Sequence, residues 1–179
     1  MNIKDIDKIM NEYKYIDIET FEYVDKPRFF DDPDIIIDDL SEEDRNEFFK
    51  NQTTIEIDAS IADVICILNK KGYITYSCCG GHISTRALEC GSSITPHIEL
   101  MDYSVPKNMK LPNGFVKNGE YQIVTISSDV VSKNKYKKSS NKKYRGEKLT
   151  QEALEEEYQK LYNAWKNLLN WAKSLPDNN

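Results

Sequence analysis

Residues able to do covalent or metal chemistry crowd into one stretch of this 179-residue sequence. All four cysteines and both histidines fall between Cys66 and His97. Cys78, Cys79, His82 and His97, with Cys90 between them, are thiolate and imidazole donors of the kind that build a tetrahedral zinc site. The spacing works against that use, because no C-x2-C pair occurs and neighbouring cysteines seldom both reach one ion. A second chemistry needs only one thiol. Gly80-Gly81 permits positive φ, and successive N–H groups at such a corner can form an anion-binding nest that lowers a thiol pKa. Cys78 or Cys79 would then be the nucleophile, with His82 or His97 as base.

A third reading gives the corner no reaction at all. Its cysteines pack inward at a tight strand-to-loop turn, and its histidine hydrogen-bonds the loop. That reading is carried forward, so no catalytic residue, metal ligand or cofactor is expected. The alternative is an enzyme using Cys79 and His82, or a zinc protein using Cys78, Cys79, His82 and His97. Cys66 lies on the apolar side of a helix and reads as a small core residue.

The corner must be held by the elements around it. Ile61, Val64, Ile65 and Leu68 repeat at helical spacing, with Ser60 as the expected cap, Lys70 and Lys71 at the C-terminal end of the dipole and Gly72 as the stop. Tyr73–Ser77 is β-branched and aromatic and reads as a strand running into the cysteines. Thr53–Ile57 alternates, with Ile55 and Ile57 inward. His97–Met101 and Tyr121–Ile126 supply further strands, and Asn118-Gly119 a hairpin turn. Upstream, residues Ile3–Tyr13 have helical spacing, residues 16–39 read as strand fragments and loops, and Ser41 caps a short helix through Phe49. Thr150 opens the longest helix, to about Leu175, stopped by Pro176. Leu154, Tyr158, Leu161, Trp165, Leu168, Ala172 and Leu175 form a heptad stripe on it, which suits a seam between two copies. Tyr162, Leu169 and Trp171 widen that stripe and favour packing on the protein's own sheet. The expected class is α+β: a mostly antiparallel sheet of four or more strands, helices on one face and a long C-terminal helix.

Charge is unevenly spread. Residues 1–50 hold 16 acids and 7 bases, a net of −9, whereas the other 129 residues hold 14 acids and 17 bases, a net of +3. Two segments follow: an acidic N-terminal segment, 1–50, and an α+β domain, 51–179, with a basic loop at 133–148 and the helix at 150–175. The overall net of −6 argues against a general nucleic-acid binder. A local patch of Lys137, Lys138, Lys142, Lys143 and Arg145, interleaved with Tyr136 and Tyr144, can still meet phosphates and bases. No apolar run approaches the roughly 18 residues of a membrane span. Met1–Asp7 carries two acids and no apolar core of a secretory signal, so reduced thiols and a cytosolic setting are expected.

The run Asn69-Lys-Lys-Gly-Tyr73-Ile-Thr75-Tyr-Ser-Cys-Cys79-Gly-Gly-His82 resembles a motif of small, uncharacterised phage and prophage proteins of Gram-positive bacteria. In them a helix ending Gly-Tyr enters a strand closing in Cys-x-Gly-His. Leu111-Pro112-Asn113-Gly114-Phe115 and Trp171-Ala172-Lys173-Ser174-Leu175-Pro176 match two further stretches of those proteins, so the resemblance spans roughly residues 55–176. Tyr73, Thr75, Ser77, Cys78, Gly80 and Ile83 are also faintly similar to the signature of the wybutosine-synthesis methyltransferase family, although His82 stands where that family has arginine. That second similarity would imply an RNA-modifying activity.

The phage-type resemblance implies an accessory or anti-defence factor, for example an anti-CRISPR, that engages a host protein or nucleoprotein. Asp31, Asp32, Asp34, Asp38 and Asp39 are its expected contact residues, steering toward a basic groove as phosphates would.

Overall fold

A computed structural model describes residues 12–27, 36–81, 96–120, 123–128, 130 and 149–178. Two antiparallel sheets form. The first has the order β2-β1-β3, from β1 (Tyr13–Asp17), β2 (Tyr23–Val24) and β3 (Thr54–Asp58). The second has the order β4-β5-β7-β6, from β4 (Thr75–Cys79), β5 (His97–Met101), β6 (Phe115–Glu120) and β7 (Ile123–Ser128). Among the described residues three α-helices accompany them: α1 (Glu42–Lys50), α2 (Ala59–Lys70) and α3 (Gln151–Ser174). The α+β class and the long C-terminal helix are as expected. The three-stranded sheet joins the expected strand near Thr53–Ile57 to β1 and to β2, which comes from the segment read as fragments and loops.

Periodicity builds the core. Alternate residues Ile98, Leu100, Val124 and Ile126 of the four-stranded sheet are buried, as are Ile61, Val64, Ile65 and Leu68 at the 3–4 spacing of α2. Ile16 and Ile57 join from the first sheet, and Leu168, Trp171 and Ala172 from α3, in one continuous cluster. Tyr158, Leu161 and Trp165 make a smaller cluster higher on α3. Five of the seven heptad positions on α3 are thus buried within this chain itself, so that stripe serves the protein's own core.

Local rules explain most boundaries. Thr150 caps α3 by accepting the Ala153 N–H at 3.2 Å, and Ser41 accepts the Asp44 N–H at 3.1 Å to start α1. Gly72 takes φ +82°, and the Tyr73 N–H returns to the Leu68 carbonyl at 2.9 Å, which ends α2. Asn69 then ties helix to strand: its amide donates to Thr75 Oγ1 at 2.7 Å, and its carbonyl accepts the Thr75 N–H at 3.1 Å.

Five expectations need correction. Asp58, rather than Ser60, occupies the cap position of α2. The strand entering the cysteines runs Thr75–Cys79, so both thiols stand within it. Asn118-Gly119 lies inside β6, paired with Thr125 and Val124, and the chain reverses after Glu120, which pairs Ile123. There the extended ladder outweighs the local turn preference. Ile55 shares a face with Ile57 but is 37% exposed at the rim. Tyr13 opens β1 and Glu12 precedes it outside any helix, while residues 3–11 of the expected helix lie outside the described residues.

Candidate functional site

The register of β4 against β5 sets Cys78 opposite Ile98 and Cys79 opposite His97. Successive strand residues point to opposite faces, so the two thiols are separated by the sheet itself. Cys78 shares the Ile98 face and packs on the core cluster. Burial, then the charge of Asp58 and the neighbouring Cys79, push its thiol up to about 12. At neutral pH it is a protonated core residue.

Cys79 occupies the other face. The pairings there produce two cross-strand rows, Cys79–His97–Ser127–Val116 and Ser77–Glu99–Thr125–Asn118. This face is polar where the opposite one is aliphatic. Cys79 and His97 are each half-buried on it.

The glycine corner is fixed from three directions. The Asp58 carboxylate accepts the Gly80 N–H at 2.7 Å, and the Trp165 indole N–H donates to the Gly80 carbonyl. A Cβ on Gly80 would stand 2.0 Å from Ser60 Oγ, so a larger residue there would force the Ser60 side chain to move. Gly81 follows at φ +83°, and its N–H donates to Cys79 Sγ at 3.4 Å. The positive φ foreseen for the pair belongs to Gly81.

Cys78 and Cys79 diverge across the sheet, and among the described residues no group of three or more His, Cys, Asp or Glu side chains is placed to hold a metal ion. His82 and Cys90 lie outside the described residues. Of the thiol and imidazole candidates, the structure brings together Cys79 and His97.

The acidic candidates divide similarly. Asp31, Asp32 and Asp34 lie outside the described residues, as do Lys137, Lys138, Lys142, Lys143 and Arg145. Asp38 and Asp39 are exposed on the 3-10 turn Ile37–Asp39, which leads into α1 with its exposed Glu42 and Glu43. Arg45 reaches back to the Asp38 carbonyl at 3.4 Å and joins turn to helix. Two large apolar side chains share this arm in the open: Ile36 is 62% exposed and Phe49 55%. The Phe49 ring stands edge-on to Phe48, centroids 5.8 Å apart.

A groove of about 800 Å³ was not foreseen. Tyr13, Tyr15, Tyr23, Lys14, Lys26 and Asp63 line most of it. The Tyr23 hydroxyl donates to Asp63, and burial followed by that carboxylate raises its phenol pKa. Lys26 Nζ sits 5.8 Å from the Tyr15 ring centre. The Tyr-Lys-Tyr alternation at 13–15 was the available signal, since a strand puts both rings on one face.

No protein-family model, curated protein or solved structure matches this chain. Among the described residues, no helix is long and apolar enough to cross a membrane.

Proposed function

We propose that this chain is a non-enzymatic binding protein of phage or mobile-element type, which sets its acidic arm against a basic face of a host protein or nucleoprotein in the bacterial cytoplasm. The observation that carries this reading is the shared exposure, on residues 36–49, of Asp38, Asp39, Glu42 and Glu43 with Ile36 and Phe49. Carboxylates on such an arm compete for a groove built to hold phosphates, and they steer the encounter. An uncovered aromatic supplies the apolar anchor around which interface energy concentrates. With the phage-type resemblance, the concrete form is an anti-defence factor, such as an anti-CRISPR, that occupies the nucleic-acid channel of an immunity complex.

The test is affinity for a purified CRISPR effector complex at several salt concentrations, with plasmid interference measured in cells expressing the chain. Binding should weaken with salt. It should fall tenfold or more in Asp38→Asn/Asp39→Asn/Glu42→Gln/Glu43→Gln, about 1.4 kcal/mol. Phe49→Ala should cost a similar factor, and neutralising Asp31, Asp32 and Asp34 should weaken binding further. Affinity that is independent of salt and unchanged in the quadruple variant and in Phe49→Ala overturns the arm as the contact surface. Undiminished plasmid interference removes the anti-CRISPR form.

A further inference from the structure

The cysteine corner shows a difference between neighbours that the binding reading leaves unused. Cys78 is half-buried and packs against the core cluster on the aliphatic face. Cys79, one residue on, faces the polar side of the sheet, is half-buried and stands directly opposite His97. Directly paired residues in an antiparallel ladder hold their Cβ atoms about 4.5–5.5 Å apart, within reach of a thiol-to-imidazole proton transfer. The Gly81 N–H is aimed at Cys79 Sγ, a contact that strengthens when the sulfur is negative. The Asp58 and Trp165 bonds to Gly80 hold the backbone that aims it. Among the described residues, charged groups near the pair include Glu99, two residues along β5 on the same face, and Asp58 on the Cys78 side.

We propose that Cys79 is a thiol–disulfide exchange site with His97 as its base, accepting a low-molecular-weight thiol from the corresponding disulfide. The Cys79 proton passes to the imidazole, and the thiolate attacks one sulfur of the small disulfide in line with its S–S bond. That bond breaks as the bond to Sγ forms. The departing thiolate takes the proton back from His97. The products are a mixed disulfide on Cys79 and one free small thiol, with no other reductant or oxidant consumed.

The experiment exposes the full-length chain, carrying Cys90→Ser so that Cys90 adducts are not counted, to glutathione disulfide near neutral pH. Intact mass and peptide mapping follow the products. One adduct on Cys79 is expected, with Cys66 and Cys78 unmodified in the folded protein. His97→Gln should slow its formation about tenfold or more near neutral pH. The map on the folded Cys90→Ser protein decides the site even if His97→Gln folds poorly. Adducts on Cys78 as fast as on Cys79, or no adduct at all, overturn the proposal. A folded His97→Gln protein with an unchanged rate and pH profile removes His97 as the base. None of these outcomes bears on the acidic arm.

Discussion

The Trp165 indole N–H donates to the carbonyl of Gly80 across 85 residues of sequence, while Asp58 holds the N–H of the same residue. The C-terminal helix and the last residue of β3 therefore fix one backbone unit at the end of β4. That unit sets where Cys79 and Gly81 stand.

Trp165→Phe keeps the buried ring but strands the carbonyl, so a loss of about 1–3 kcal/mol is expected in denaturant unfolding. Gly80→Ala should cost about 1–3 kcal/mol through the clash with Ser60 Oγ. Adding Ser60→Gly should recover part of that cost. A double variant no more stable than Gly80→Ala alone would place the strain elsewhere.

Asn69 joins the end of α2 to the start of β4 through paired amide bonds. Asn69→Ala leaves the Thr75 N–H without its acceptor, and a drop of about 1–3 kcal/mol should appear as an earlier unfolding midpoint with unchanged slope. A variant as stable as the parent would show that water replaces the clamp.

Asp17 gives an acid-side signature. Its carboxylate accepts the N–H groups of Glu19 and Thr20 and the hydroxyls of Thr20 and Thr53. These bonds, led by the Thr20 backbone contact, hold its pKa below the ordinary 3.8. A depressed carboxylate contributes stability above its unfolded value and loses it as pH falls through the folded one. The stability difference between the parent and Asp17→Asn should be constant from neutral pH down to about pH 4 and shrink below it. Unfolding curves at stepped pH measure it, and a difference that persists in acid would contradict the assignment.

Cys78 gives the alkaline counterpart. Its folded value of about 12 lies above the ordinary 9.0, chiefly through burial, so the folded state retains the proton longer than the unfolded chain. That contribution is intact below pH 9 and drains away as pH rises toward 12. Cys78→Val should lose less stability than the parent over that interval. Parallel decline of the two would show the thiol to be solvated.

The sequence made the helices legible because each carries its own punctuation. Thr150 and Gly72 act within a few residues of themselves, and the α2 stripe needs no distant partner. The first sheet was hidden because β2 is two residues long and β1 gains its meaning from pairing β3 about forty residues away. Asn118-Gly119 misled for the same reason: a ladder with β7 overrode a local turn signal. At the corner, residue types named the right neighbourhood. The separation of Cys78 from Cys79 and the pairing with His97 required strand boundaries that moved by two residues. Trp165 carried no sign of its bond to Gly80, since an indole on a heptad stripe reads as core.

Asp58 stands at the cap position of α2 yet makes no side-chain cap bond there, giving its carboxylate to Gly80 instead. That carboxylate therefore ties the start of α2 to the end of β4 rather than serving the helix's own first turn. During refolding, β3, α2 and β4 should consolidate together as a nucleus. Asp58 thus couples the ordering of β3, α2 and β4 through a single contact that spans 22 residues.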